Sequence, residues 1–189
     1  TLASTVGGSQ RCEEFAPLLR AVDLDELAAS GDIACGVFAD LTIGYVNLPW
    51  LQFGRVNGAG PGAWGVGTRL SDAFPEPLQT FYVGKLAEVM ASGQPWEHDY
   101  QCSSPTMYRE FRLRVRSIAN GAGLLLRHEL RLERVLDEMG PSLAPERYRA
   151  GGLVTQCAHC RCVQRATPPH GWDWVPALVG RSSESVSHA

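Results

Sequence analysis

The chain has 189 residues, and 44% of them are hydrophobic, which is enough apolar material for a buried core. Its formal net charge of −3 argues against general nucleic-acid binding, because that binding depends on a basic surface. No apolar run approaches the roughly 18 residues that span a membrane, and the first ten residues lack the features of a signal peptide, so we expect a cytoplasmic protein with neither nucleic-acid nor membrane partners.

The N-terminal half predicts a helix, two strands and a second helix. Apolar residues recur at roughly helical spacing over 11–30 and over 77–92. The apolar runs 33–38 and 41–46 predict strands. A glycine-rich stretch separates the second strand from the second helix and predicts a loop.

Three further strands are predicted after the second helix. Along 96–102, successive side chains alternate in character between the two faces of the predicted strand. In the next predicted strand, Phe111, Leu113 and Val115 alternate with arginines, which indicates one buried and one solvated face. Asn120-Gly121 is a hairpin signal, and 124–132 predicts the last strand, which we expect to continue as a helix over 130–139. His128 has charged neighbours, so we expect it at the surface or in an interface.

The last 39 residues differ in kind, because cysteine and histidine replace the regular apolar pattern. Cys157 and Cys160 have the spacing of a metal-binding knuckle, and His188 returns 28 residues later. So short a segment cannot bury much core alone, and such segments usually need a metal, disulfides or a partner. We therefore predict one zinc ion. Three residues are open as the fourth ligand: Cys162, which is nearest in sequence, His159 and His170.

Two other states of these cysteines stay open. Cys157 and Cys160 could form a disulfide or remain free thiols. A Cys-x-x-Cys motif can also act in thiol redox chemistry, which makes a redox protein the alternative function. However, no βαβ pattern of the thioredoxin type surrounds the motif.

The order of the predicted elements resembles that of a PAS domain. The segment GVFADLTIGYVNLPWLQFG resembles the opening hairpin of that family, with Asn47 where these domains often place Asn, and GVGTRLSDAFPE resembles the segment ahead of their long helix. The resemblance covers about residues 30–133. It implies an α+β fold in which a five-stranded antiparallel sheet carries helices on one face.

The tail, GLVTQCAHCRCVQRATPPHGWDWVPALVGRSSESVSHA, resembles the segment that follows PAS domains in some bacterial sensory proteins. In that pattern a Cys-x-x-Cys precedes a Trp stretch and then Ser-His-Gly-x-Cys. Ser187 and His188 match it, whereas Ala189 stands where Gly is expected. Together the resemblances predict four segments: an N-terminal helical flank (1–32), a PAS-like domain (33–133), a helix and linker (134–150) and a zinc-knuckle-like module (151–189).

The resemblance implies a bacterial sensor or interaction module that is not itself an enzyme. It would bind an unidentified small ligand or a partner, relay a signal through the flanking helices 11–30 and 130–139, form a homodimer there and act on an output domain or partner protein. Ligand contacts are expected from Asn47, His98, Tyr100 and Cys102. For His98 the more common alternative is a histidine that is simply hydrogen-bonded within the core. No hydrolase, metalloprotease or kinase motif is present in the sequence.

Overall fold

The computed structural model describes residues 3–6, 8–60, 62–74, 78–104, 107–135, 145–157, 162–173, 175, 178 and 186–188, with backbone only at 3–6 and 186–188. The described part is mixed α+β, as the sequence predicts. It divides into two compact units, the first comprising Thr1–His98 with Arg112–Glu129 and the second Asp99–Phe111 with Leu130–Ala189. This grouping differs from the predicted division at 134–150.

Seven strands form the larger sheet, not the five that the resemblance implies. They are β1 (Ala3–Val6), β2 (Ser9–Cys12), β3 (Ile33–Phe38), β4 (Ile43–Val46), β5 (Trp96–Gln101), β6 (Met107–Ile118) and β7 (Gly123–Val135). Their spatial order is β1-β2-β4-β3-β7-β6-β5. The pairs formed along β1, β2, β4, β3 and β7 are all antiparallel.

The helices of the first unit lie between these strands along the chain. They are α1 (Leu24–Ser30), α2 (Leu48–Val56), α3 (Leu78–Ser92) and the 3-10 helices Glu13–Leu19 and Leu70–Ala73. The long helix α3 agrees closely with the predicted helix 77–92, and Gly93 follows it at a φ of 70°, a conformation that glycine adopts readily.

The segment 11–30 is not the single helix that its periodicity predicts. It begins in β2, continues as a 3-10 helix that contains Pro17, and forms α1 only after Asp23. Proline lacks the N–H that an α-helix interior needs, which explains the interruption. Asp23 then caps α1 by accepting a hydrogen bond of 2.9 Å from the backbone N–H of Glu26.

Helices contact both faces of the sheet, not one as predicted. On β7, Arg127 pairs with Glu26 of α1, whereas the next residue, His128, packs its ring against Trp50 of α2. Successive side chains of a strand point to opposite faces, so α1 and α2 lie on opposite sides of the sheet. The N-terminal flank therefore covers one face of the domain.

The core beneath this flank is built around Phe15, which is fully buried. Its ring lies against Gly36 of β3 and Gly44 of β4, where a Cβ atom would collide with it. Leu19, Leu27 and Leu125 belong to the same buried cluster. The apolar residues predicted to form a stripe in 11–30 are thus buried within the first unit.

The predicted helix over 130–139 is wrong for the residues described. Strand β7 continues to Val135, and 136–139 lie outside the described residues. Pairing in the sheet overrides the helical spacing of the leucines here. The strand leaves Leu130, Leu132 and Val135 with 47%, 43% and 71% of their surface exposed.

The second unit contains a smaller sheet. Its strands are β8 (Arg149–Ala150), β9 (Leu153–Gln156), β10 (Val163–Gln164), β11 (Trp172–Asp173) and β12 (Val186–His188). Strand β9 is central, and it pairs antiparallel with β8 and β10 and parallel with β12. The core of this unit is small and consists of Tyr148, Val154, Val163 and Val175, with Leu178 packed against it.

Candidate functional sites

Asn47 has a structural role between β4 and α2. Its side-chain oxygen accepts hydrogen bonds from the backbone N–H groups of Trp50 and Ala34, each 3.0 Å long. Its amide nitrogen donates to the carbonyl oxygen of Asp32 at 2.7 Å. Asn47 therefore caps α2 and ties its start to the start of β3. These bonds occupy the groups that a ligand would need.

His98 lies on β5, facing α3. Its ring stacks on Trp96 with centroids 5.4 Å apart and lies 5.8 Å from Phe81 and 5.9 Å from Tyr82. Phe74 stacks on Tyr82 with ring centroids 4.7 Å apart. His98 therefore belongs to a half-buried aromatic cluster in which its strand face meets α3.

Tyr100 and Cys102 are grouped with the second unit. The ring of Tyr100 stacks on Phe111 at 5.6 Å, and the backbone N–H of Cys102 donates to the carbonyl oxygen of Arg109 at 3.1 Å. Arg109 is itself buried and forms a 2.6 Å ion pair with Glu133. The described contacts of these two candidates are thus with neighbouring strands.

The predicted knuckle lies between β9 and β10. The backbone N–H of Cys157 donates to the carbonyl oxygen of Cys162 at 2.9 Å, which closes a tight loop across the two strands. Both cysteines are half-buried. Cys160 and His159 lie in this loop by sequence but outside the described residues.

The backbone of His188 reaches the same end of the small sheet. Residue 188 pairs with Gln156, directly before Cys157, on the side of β9 opposite Val163. The side chain of His188 lies outside the described residues. By contrast, His170 is exposed, and its Nδ1 lies 3.3 Å from the carbonyl oxygen of Arg165, beyond the far end of β10. The backbone positions of residues 157, 162 and 188 thus lie at the same end of the small sheet, whereas His170 lies beyond the far end of β10.

No cluster of three or more potential metal ligands occurs among the residues whose placement is described. That set omits Cys160 and the side chain of His188, which are two of the four predicted ligands. The predicted donors are two or three thiolates and an imidazole, a set that zinc binds in closed tetrahedral sites.

Sequence reasoning missed a cleft in the first unit. It has a volume of about 500 Å³ and is lined by residues of the N-terminal segment, the β3–β4 turn and the loop before Leu70. None of the four residues expected to contact a PAS ligand lines this cleft. Three separate segments form it, so no local sequence pattern could have revealed it.

His128 differs from its predicted surface environment. Its ring centroid lies 5.9 Å from that of Trp50, and burial lowers the pKa of the imidazole to about 4. The nearby carboxylate of Asp32 opposes this effect but does not outweigh it. The charged neighbours Arg127 and Glu129 point to the opposite face of the strand, so their charge did not indicate the environment of His128.

No protein-family model matches this chain, and comparison with curated proteins finds no similar sequence. Among the described helices, none is long and apolar enough to cross a membrane.

Proposed function

We propose that this chain is a PAS-type sensory and interaction module of bacterial signal transduction, cytoplasmic and not an enzyme by itself. One observation carries the proposal. Two strands that precede α3 in sequence, β3 and β4, join three strands that follow it, β5 to β7, in a single antiparallel sheet. This arrangement supports the resemblance that the sequence motifs indicate.

In this proposal the small ligand contacts His98 and its aromatic neighbours. Asn47 acts as a structural residue, because its polar atoms already bond to the backbone. Tyr100, on the same strand, and Cys102, just after the end of that strand, remain candidates. We expect a protein without a Soret or flavin absorption band, so its ligand would be detected by mass and not by colour.

The test is mass spectrometry of small molecules released from the purified chain. We expect a bound compound in the wild type that is lost in His98→Leu and retained in His170→Leu, a matched change at an exposed histidine. An empty wild-type protein, or equal loss in both variants, would contradict the ligand-binding proposal. A Soret or flavin band would refute the prediction of a colourless protein.

We further propose that residues 151–189 bind one zinc ion through Cys157, Cys160, His188 and Cys162. The support is topological: the Cys157–Cys162 hydrogen bond closes the knuckle loop, and β12 runs beside β9 up to residue 188. Zinc bound there would cross-link the two ends of the segment, β9 with its loop and β12. This cross-link would compensate for the small apolar core.

Elemental analysis of the chain purified without a His-tag tests the zinc proposal. We expect about one zinc per chain, with loss in Cys157→Ser and His188→Ala and retention in Cys102→Ser and His170→Ala. Zinc well below one per chain in the wild type would overturn it. Insulin reduction above background by a metal-free wild type would instead favour the thiol redox alternative.

The predicted homodimer would use the end of β7. The apolar residues of the N-terminal flank are buried in their own unit, which leaves Leu130, Leu132 and Val135 as exposed apolar side chains. Light scattering after size exclusion should give a dimer for the wild type and a monomer for Leu130→Asn/Leu132→Asn. Val56→Asn, which alters a more exposed apolar side chain on α2, should remain dimeric. A wild type that is strictly monomeric at high concentration contradicts the dimer.

A further inference from the structure

The 500 Å³ cleft of the first unit has walls from three segments of the chain that meet only in the folded protein. Cys12 and Glu14 come from the end of β2 and the following 3-10 helix. Phe38, Asp40 and Val66 come from the β3–β4 turn and the loop that runs beside β4. The cleft is therefore formed when the N-terminal flank packs onto the sheet.

The size and lining of this cleft suit a small organic molecule. Its volume lies within the roughly 300–1,000 Å³ that is usual for ligand pockets. Phe38, Ile43 and Val66 supply an apolar lining, and the hydroxyl-bearing Thr42 adds a polar edge. Such a combination binds an apolar body and orients one polar group.

The charged groups of the lining are all acidic. Glu14 and Asp40 contribute carboxylates, and no Lys, Arg or His is among the described residues that line the cleft. Hydrogen bonds from the backbone N–H and hydroxyl of Thr42 lower the pKa of Asp40, so this carboxylate is ionised at neutral pH. Arg69 bonds to the backbone carbonyl of Asp40 at 3.0 Å and lies outside the lining.

Cys12 is almost fully buried in the wall, and it adds no charge. Burial, together with the neighbouring carboxylate of Glu14, raises the pKa of its thiol. Within the lining the charge thus comes from two carboxylates beside an apolar surface, while the neighbouring Arg69, whose charge also lowers the pKa of Asp40, lies outside the lining. A cationic ligand matches this lining, and an anionic ligand would be repelled.

We propose that this cleft binds a small organic cation, a protonated primary amine attached to an aromatic or aliphatic body. The ammonium group would pair with Glu14 and Asp40, and the apolar body would cover Phe38, Ile43 and Val66. The site is independent of the proposed PAS ligand, because none of its lining residues is among the candidates for that ligand.

The experiment is an NMR titration of the full chain with 2-phenylethylammonium, followed at the backbone amides of Thr42, Gly44 and Gly67. Its neutral isostere 2-phenylethanol and the anion phenylacetate are titrated in parallel. We expect saturable shifts with the cation, weaker binding of the alcohol and none of the anion. Because Glu14 is exposed, Glu14→Gln should weaken cation binding roughly 3- to 5-fold, as for other exposed ion pairs.

Glu13→Gln is the matched control. Glu13 is the exposed neighbour of Glu14 on the same 3-10 helix and does not line the cleft, so this variant should bind the cation as the wild type does. Val66→Phe should abolish binding by filling the cleft. Equal affinity for the alcohol and the cation, equal weakening by the two glutamate variants, or no shift at 10 mM cation (about the limit of useful affinity for so small a ligand) would overturn the proposal.

Discussion

His128 should make the folded protein lose stability on acidification in a way that one substitution can isolate. Burial against Trp50 lowers the pKa of its imidazole from 6.5 to about 4. The unfolded chain therefore takes up a proton near pH 6.5, whereas the folded chain does so only near pH 4. The stability that depends on neutral His128 is complete above pH 6.5 and is lost between these two values.

The size of the effect follows from the shift. At roughly 1.4 kcal/mol per pKa unit, lowering the pKa from 6.5 to about 4 corresponds to at most about 3.5 kcal/mol. The side chain keeps some contact with solvent, so we expect about 2 kcal/mol between pH 7.5 and pH 4.5.

The assay is urea unfolding, monitored by tryptophan fluorescence, of the wild type and His128→Gln across this pH range. Subtracting the two free energies of unfolding removes the contributions of the carboxylates, which titrate in both proteins. The advantage of the wild type over the variant should shrink by about 2 kcal/mol on acidification. A pH-independent difference, or an imidazole that titrates near pH 6.5 by NMR, would refute this assignment of His128 to a buried site.

Three further substitutions test the packing of the fold. Phe15→Ala should lower the free energy of unfolding by about 3–5 kcal/mol, because the ring is fully buried over two glycines, and a urea-unfolding loss under about 1 kcal/mol would contradict this. Asn47→Ala should cost about 2–4 kcal/mol by removing the cap of α2 and two buried backbone partners, whereas Asn57→Ala, at an exposed position, should cost under about 1 kcal/mol. Tyr148→Phe keeps the buried ring and loses only the hydroxyl bond to Asp173, so thermal unfolding of the second unit should show a loss of about 1 kcal/mol, and no loss would exclude that bond.

The sequence predicted those elements whose own pattern is decisive. The stripe of 77–92 and the alternation of 111–116 reflect burial of one side of an element, so α3 and β6 follow from local periodicity. The hairpin signal Asn120-Gly121 is also confirmed, because both residues have positive φ in the turn before β7.

The wrong predictions concern residues that are compatible with two different local structures. Asn47 and Pro49 begin α2, because asparagine is a preferred N-cap and proline is tolerated in the first helical turn, but no helix was predicted at this position. Conversely, the leucines of 130–139 have helical spacing, but pairing in the sheet keeps 130–135 extended. Strand β12 pairs with the distant β9, and β1 pairs with the neighbouring β2, but neither short strand has an apolar pattern that predicts it.

The candidate sites divide in the same way. The knuckle stays a prediction, which rests on the spacing of Cys157 and Cys160 as the chemical signal. The position of His188 beside Gln156 depends on parallel pairing across about thirty residues, and only the fold shows it. The cleft at Glu14 and Asp40 has no sequence signal at all, because neither residue is unusual in its own segment.

The small core of the second unit leads to the last prediction, that zinc removal should unfold β9 and β10 but leave β3 intact. Tyr148, Val154, Val163 and Val175 form the described apolar cluster of the module. A segment this short with so small a core usually needs a metal, disulfides or a partner to fold. After chelation, hydrogen exchange should therefore accelerate at the amides of Val154, Gln156 and Cys157, and the amide of Ala34 should stay protected. Unchanged protection at Cys157 in zinc-free protein would show that the unit is stable without the metal, and the structural role proposed for zinc would be wrong.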